Sequence, residues 1–517
     1  MRFQEYEKHR GRDEHEHRSP AARHPHPRAG ATAQAALGLA AICLVAAAGC
    51  AGGSGSPQGD PILPAEPLDY QVDLPFYYET NTLLQTPFQT SALHNDNLLD
   101  NPLTDEGATL GRVLFYDRDL SSTKEVSCGF PCHVQEFGFS DPDTTSRGVD
   151  GRTKRNSMAL ANARFYRQRT ETLPLPVDVD SVGRFFWDER AESLEDQVLM
   201  PFEDPVEMGL DEGELVEIVS GKEFYEPLFL ATFGDSTVTE ERIASALAQF
   251  IRSIVSLESR YDEGRRALAA RQGEPGSGLE AFPTFTDAEN RGKRLFVGPR
   301  VNDEGLFMGP CGGCHLSDAQ ISAPSGAVNN GVIHLQNQEA IDLINFVASR
   351  GRFRQRPEGA DDDVIYQAAV DRLYAWMDDD PDGELGDLGI AEHFDREVRP
   401  PHQIALAIGA FKAPSLRNIA ETAPYMHDGS LETLEDVIDH YSGGVLENPH
   451  PSINFGFNGV PVQRFGPLRA FEFTAQEKSD LIAFLQTLTD PEVLSAERWS
   501  DPFVRDEEAD ARFLELE

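Results

Sequence analysis

The chain has 517 residues with 87 acidic and 45 basic side chains, for a formal net charge of −42. Such a surface repels nucleic acid and anionic lipid and favours basic partners, or simply keeps the protein soluble. Four of its six cysteines lie in Cys-His runs and the other two, Cys43 and Cys50, lie in or at the end of an apolar segment. None remains for a disulfide, so the fold must rest on its core and its cofactors.

Residues 1–49 read as a long polar leader followed by a signal peptide. The apolar stretch Ala35 to Ala48 has the length of a signal core and is too short to span a bilayer. It ends in Ala-Ala-Gly-Cys50, a small-residue approach to a cysteine like that of a lipoprotein cleavage site, so Cys50 is the expected lipid carrier. Ordinary signal cleavage nearby is the alternative. The expected location is the periplasm or cell envelope, with the membrane reached only through a lipid anchor of two or three chains.

Residues 50–84, rich in Gly, Pro and Asp, read as a flexible tether. Residues 85–280 form the first expected domain. It contains a helix over Gly111 to Tyr116, the run Cys128-Gly-Phe-Pro-Cys132-His133 and an amphipathic helix over Glu240 to Leu257. A Pro-Gly-Ser-Gly stretch at Pro275 to Gly278 marks the division. Residues 281–495 repeat the order. A capping-box pattern at Thr286 and Glu289 opens a helix, Cys311-Gly-Gly-Cys314-His315 follows, and Thr474 to Leu488 makes a late helix. Residues 496–517 read as an acidic tail. The fold class expected is therefore mainly α, with two helical domains, each built around one haem. The acidic cluster Asp378 to Gly383 mimics the start of an EF-hand loop, but Gly389 stands where the loop needs its terminal Glu, so it is set aside.

A C-x-x-C-H run supplies two thiols for covalent attachment to the haem vinyl groups and a histidine for the iron. Two runs imply two haem c groups, held by Cys128, Cys132 and His133 and by Cys311, Cys314 and His315. The first run has three residues between its thiols rather than two. Between Cys50 and Cys311 the only histidines are His94 and His133, so a distal histidine could come only from His94. Met158, Met200 and Met208 could ligate but read as core fillers. The simplest reading is one protein ligand and an open sixth position. An open ferric haem binds peroxide or another small oxidant, whereas a closed one mainly passes electrons. The second half offers many further ligands, and spacing alone does not choose among them.

Three segments carry a resemblance: Phe186-Trp187-Asp-Glu-Arg190, Asp204-Pro-Val-Glu207-Met-Gly209, and Leu416 to Ser430 with its Thr422-Ala-Pro424-Tyr-Met-His-Asp-Gly core. From about Thr104 to Thr489 the chain resembles the bacterial di-haem cytochrome c peroxidase family, nearest its methylamine dehydrogenase maturation branch. The resemblance implies two cytochrome c-like helical domains, with a peroxide-binding haem in the first and an electron-transfer haem in the second. It assigns Trp187 as the electron relay between the haems, Gln197 and Pro201 as lining of the distal pocket, and Glu207 as the residue that moves a proton between the peroxide oxygens. It also implies one calcium ion held by Asn156 and the backbone carbonyls of Thr422 and Pro424. Tyr441, fourteen residues past His427, occupies the place of the second haem's sixth ligand, with Met426 and His440 as rivals. No histidine lies in 134–155, where the peroxidase branch carries a distal one. The chain differs from the family pattern in its first cysteine spacing and in a loop from Thr170 to Asp180. The function expected is reduction of hydrogen peroxide by an oxidoreductase of the cytochrome-c peroxidase type. Its electrons would come from a small redox protein or a protein substrate. A di-haem electron-transfer cytochrome with both irons closed is the alternative.

Overall fold

A computed structural model describes residues 58–75, 77, 101–166, 185–272, 280–297, 300–301, 307–308, 311, 315, 330, 332, 337–350, 360–379, 385–442, 473–505, 510–511 and 513–514. The leader with Cys50, His94, the Thr170–Asp180 loop, the Pro275–Gly278 division, Cys314 and the Asp380–Gly383 stretch lie outside these. Thirteen α-helices and only two short β-ribbons occur among the described residues, so the chain is mainly α as its sequence predicts.

The first half is organised by two crossing helices. Helix α1 (Asp105–Tyr116) starts at Thr104, whose side chain accepts from the Gly107 amide, and buries every residue from Gly107 onward. Helices α2 (Leu194–Glu203), α3 (Glu214–Ser220) and α4 (Tyr225–Phe233) follow, then α5 (Glu240–Ser253), capped by Thr239. Helix α1 crosses α5 so closely that a Cβ on Gly111 would collide with the Ala246 carbonyl and the Phe250 side chain. Only glycine permits that approach.

After α6 (Arg260–Gln272), the second half repeats the device. Helix α7 (Asp287–Val297) crosses a later helix that begins with a Thr474–Glu477 capping box. Between these two come α8 (Gln338–Arg350), α9 (Ala360–Asp378), α10 (Pro401–Ala407) and α11 (Leu434–Ser442). The partner of α7 is α12 (Ala475–Gln486). A Cβ on Gly292 would meet the Asp480 carbonyl and the Phe484 side chain. Phe115 and Phe250 sit 5.1 Å apart at 55°, and Phe296 and Phe484 sit 5.1 Å apart at 51°.

The repeat continues past the helices. Asn162 and Asn418 are both left-handed, at φ 64° and 62°. The Asn162 amide donates to the Ile254 carbonyl and its Oδ1 accepts from Ser256 N at 2.7 Å. The Asn418 amide donates to the Leu488 carbonyl and its Oδ1 accepts from Asp490 N at 2.7 Å. Next, a single antiparallel bridge joins Phe185 to Ala191, and another joins Tyr425 to Leu431. Each leads into a capped helix, Ser193–Asp196 opening α2 and Thr433–Asp436 opening α11. Trp187 and His427 thus hold one position of the repeat, and Pro201 and Tyr441 another.

A third apolar core, around Ala340, Ile344, Val347, Leu373, Leu385 and Ile404, gathers α8, α9 and α10. The short turn Ile390–His393 follows α9. The segment read as a flexible tether is laid against the protein where it is described, with Tyr70 buried in the first core and the Tyr77 hydroxyl donating to Asp262. The segment read as an acidic tail is likewise packed. After α13 (Pro491–Ser495), Trp499, Phe503 and Phe513 enter the first core.

Candidate active site

A cavity of about 420 Å³ opens between α1, the first cysteine run and α2, within the range of small-molecule and cofactor sites. Cys128, Cys132 and His133 line one side; Trp187, Gln197, Pro201 and Glu207 line it as well. The structure therefore brings together in one cavity every first-half residue that the sequence assigns to the haem or to catalysis.

The extra residue of the first run does not displace its histidine. The His133 amide donates to the Cys128 carbonyl at 2.9 Å, and the His315 amide donates to the Cys311 carbonyl at 3.2 Å. Phe115 lies 6.4 Å from the His133 ring at 35°, and Phe296 lies 6.3 Å from the His315 ring at 40°. Gly129 keeps the run tight against α1, because a Cβ there would strike the Tyr116 ring. His133 Nδ1 pairs with the Phe139 carbonyl at 3.0 Å, the anchoring that fixes tautomer and ring orientation in metal-ligating histidines. Burial drives the His133 pKa down to about 4, which keeps the imidazole in the neutral form a metal requires. Two thiols, an oriented neutral imidazole and a large cavity on the far side fit a haem.

On α2, Gln197 and Pro201 are one turn apart and share a face. Proline has no N–H for the Gln197 carbonyl and no donor atom for a metal. Beyond the helix, Asp204 Oδ1 accepts from the amides of Val206 and Glu207 at 2.8 and 3.1 Å. The Glu207 carbonyl accepts from Val149 N, in the turn of the ribbon β1 (Arg147–Gly148) and β2 (Gly151–Arg152). This backbone lacing presents the Glu207 side chain to the cavity, where no hydrogen bond reaches its carboxyl from any described residue. Burial, then the charge of Asp204, raises its pKa to about 7, against the opposing pull of Arg190.

Trp187 stands where the two halves meet. Its indole N–H donates to the Asn156 carbonyl and its own carbonyl accepts from Lys412 N, both at 2.8 Å. The Asn156 amide donates to the His427 carbonyl, and the Trp187 and His427 rings are 6.5 Å apart. Phe411 stacks on His427 at 3.7 Å and 12°. Beside Trp187, the buried Asp188 is gripped by Arg155, Arg190 and His393, which holds its carboxyl well below the usual carboxylate range. Sequence reasoning missed this knot, although Asp188 lies inside the Phe186–Arg190 segment. Asp188, Glu392 and His393 have the spacing of a metal site, but Asp188 is already paired with Arg155 and Arg190, and Arg155 also reaches Glu392 at 3.5 Å.

Asn156 Nδ2 donates to the Asp143 carbonyl at 2.8 Å, which orients the side chain. No hydrogen bond from a described residue reaches its Oδ1 or the carbonyls of Thr422 and Pro424. In the second half, Asn330 Nδ2 donates to both the Tyr441 hydroxyl at 3.2 Å and Met426 Sδ at 3.4 Å. His440 Nε2 pairs instead with the Asn330 carbonyl at 2.9 Å. In the repeat, Tyr441 matches the cavity-lining Pro201 and Met426 matches the cavity-lining Phe186. His440 matches the outward-facing Met200, which is 41% exposed.

Known proteins resemble this chain in sequence and in fold. A sequence profile described as di-haem cytochrome c peroxidase matches residues 105–268. The methylamine utilization protein MauG of Methylorubrum extorquens is 30% identical over 396 residues, 75% of this chain and 79% of that one. Cytochrome-c peroxidase IdrP1 of a Pseudomonas species is 25% identical over 411 residues, 76% of this chain and 84% of that one. Among solved structures, a MauG-like protein associated with microbial copper homeostasis superposes with a TM-score of 0.51 at 30% identity, covering 79% of this chain and 96% of that one.

Proposed function

The chain belongs to the di-haem cytochrome c peroxidase family and is a peroxidase-type oxidoreductase, and from that premise we propose that it reduces hydrogen peroxide in the cavity beside His133. The balance is one peroxide, two protons and two electrons in, and two waters out. The observation that carries the reading is the pairing of Pro201 with Tyr441. One position of a repeated helix offers no donor atom in the first half and a phenol in the second. The first iron is then open to peroxide and the second is closed by protein.

A haem joined to Cys128 and Cys132 and ligated by His133 would supply the iron that takes up peroxide and the electrons that its cleavage demands. The protein's own residues do the rest. Gln197 donates a hydrogen bond to bound peroxide from the helix face it shares with Pro201. The Glu207 carboxylate takes a proton from one peroxide oxygen and returns it to the other, which leaves as water. A pKa of about 7 suits both directions of that transfer. Trp187, held by Asn156 and Lys412 beside His427, carries electrons between the halves. His315 and Tyr441 would hold the second haem through Cys311 and Cys314; a phenol donor there favours ferric iron over ferrous.

A calcium ion on Asn156 Oδ1 and the Thr422 and Pro424 carbonyls would tie the halves together beside Trp187. The three acceptors left open support it. Electrons come from a small redox protein or from a protein substrate. The apolar stretch before Cys50 supports export with a lipid anchor at that residue.

Hydrogen peroxide added to the ferric protein tests the reading. The spectrum of the His133 haem is expected to change, and no change would overturn it. Glu207→Gln should slow peroxide turnover with both haem spectra intact; unchanged turnover would remove Glu207 from the chemistry.

A further inference from the structure

Reduction of one peroxide consumes two protons, and Glu207 supplies neither, because it returns to one oxygen the proton it takes from the other. Both must enter the cavity from solvent, and the cavity wall narrows the choice of entry group. Arginine and lysine hold their protons too tightly to give them up near neutral pH, and ordinary carboxylic acids have already lost theirs. Burial lifts the Tyr166 hydroxyl to about 12 and drives the His133 imidazole down to about 4. The one other imidazole among the described residues that line the cavity is His393. Imidazole is the side chain suited to exchanging protons near neutrality.

His393 reaches the cavity from the third core, at the end of the short turn Ile390–His393. That turn is pinned. Gly389, at φ 59°, lies so near the Ala410 carbonyl that a Cβ would strike it, and the Ile390 amide donates to that carbonyl at 2.9 Å. Asp387 accepts from the Gly389 amide at 2.9 Å and from Arg155 Nε and Nη2 at 2.6 and 2.7 Å. The His393 ring meets Asp188, with Nε2 3.0 Å from Oδ2. Arg155 and Arg190 keep Asp188 ionised, and a carboxylate only accepts, so Nε2 carries the proton of that bond. Nδ1 is left to take up and release a second proton, and no hydrogen bond from a described residue occupies it. Glu392 also faces the ring, 3.9 Å from Nε2, and lies 3.5 Å from Arg155. The Asp188 side chain is 2% exposed and that of His393 37%, so the pair runs from the buried wall of the cavity to solvent.

We propose that His393 is the proton-entry residue of the peroxide cavity, with Asp188 as the positioning residue that fixes its ring. Nδ1 takes a proton from solvent, the imidazolium releases it into the cavity, and the neutral ring is ready for the second proton. Each proton ends on an oxygen that leaves as water, and no electrons move in the transfer. The second half thus supplies, through the third core, a group that the first half's own cavity wall lacks. The assignment rests on the reading that this cavity reduces peroxide.

His393→Gln tests it, because the amide keeps an N–H for Asp188 but cannot carry a proton. Peroxide turnover by the full di-haem protein is followed at pH 7 with a saturating artificial electron donor, while phosphate is raised from trace to high concentration. The native protein should be indifferent to phosphate. The variant should be about 10²-fold slower in dilute phosphate and should recover as phosphate delivers protons in place of the imidazole, with both haem spectra unchanged. Native-like turnover of the variant in dilute phosphate overturns the proposal. So does a deficit that phosphate does not relieve, which would make the role of His393 structural. No peroxide turnover by the native protein at any phosphate concentration would overturn the peroxide reading instead.

Discussion

The two halves of the molecule are built on one scaffold and differ where it faces the cofactor. Each crosses two helices at a glycine, sets a phenylalanine beside the histidine of a cysteine run, and turns through a left-handed asparagine. Each then passes a one-pair bridge into a capped helix. On that last unit Trp187 replaces His427, Gln197 replaces Val437 and Pro201 replaces Tyr441. The scaffold orients the histidine of each run in the same way, and under the proposed function the exchange of Pro201 for Tyr441 is what separates an open haem from a closed one. On that reading the halves differ in role by substitution, without a change of fold.

The largest way to break this difference is to erase it. Pro201→Tyr gives the first half the phenol of the second, and it should abolish the reaction with peroxide. In electron paramagnetic resonance the high-spin ferric signal of the first haem should be replaced by a low-spin one. A persistent high-spin signal with intact turnover would show that the repeat does not equate the two positions.

Glu207→Gln comes next, with an expected fall in peroxide turnover of about 10²- to 10⁴-fold. Because the carboxylate is the working form and its pKa is about 7, turnover by the native protein should rise as pH increases through 7. The variant should lose that rise. A variant with the native pH profile would place the titrating group elsewhere.

Much of this division was legible in the sequence because it rests on residue types that cannot be disguised. The two Cys-His runs, the scarcity of histidines between them and the Trp187 and Glu207 segments all have a fixed chemistry. The structure adds what those types cannot report. Ala191-Glu-Ser-Leu-Glu-Asp196 and Leu431-Glu-Thr-Leu-Glu-Asp436 are nearly the same sequence, and aligning them would have paired Pro201 with Tyr441 from the sequence. The packed C-terminal segment was hidden by its own charge, since Trp499, Phe503 and Phe513 are too widely spaced among acidic residues to form a periodic pattern. The Asp188 knot was hidden because His393 comes from distant sequence.

A stability test sharpens what joins the halves. Arg417 in the second half and Asp262 on α6 form a fully buried pair at 2.6 Å, with the Tyr77 hydroxyl also on Asp262. Asp262→Ala strands the guanidinium in a dry site and should cost about 3–5 kcal/mol in denaturant unfolding. The exposed pair Arg266–Glu258, broken by Glu258→Ala, should cost under about 1 kcal/mol. Equal costs would mean that the buried pair does not join the halves as its geometry indicates.

The smallest effect concerns what the open cavity costs the fold. Glu207 has a folded-state pKa of about 7 against an ordinary value of 4.5. Below pH 4.5 both folded and unfolded chains hold the proton, and the full contribution to stability is present. As pH rises through 7 the unfolded chain is already ionised while the folded one must give up its proton inside the cavity, so that contribution is lost. The upper limit of the loss is about 3 kcal/mol, and water in the cavity screens it to about 1–2 kcal/mol. Glu207→Gln cannot ionise, so it should match the native protein at pH 4.5 and exceed it in unfolding free energy at pH 8. Val437→Ala, at the Gln197 position of the second half, should give a difference from the native protein that does not vary across the same pH range. A stability gap for Glu207→Gln that is flat with pH would mean that the carboxyl is solvated like a surface group, and the cavity would lose its claim to a proton-transfer residue.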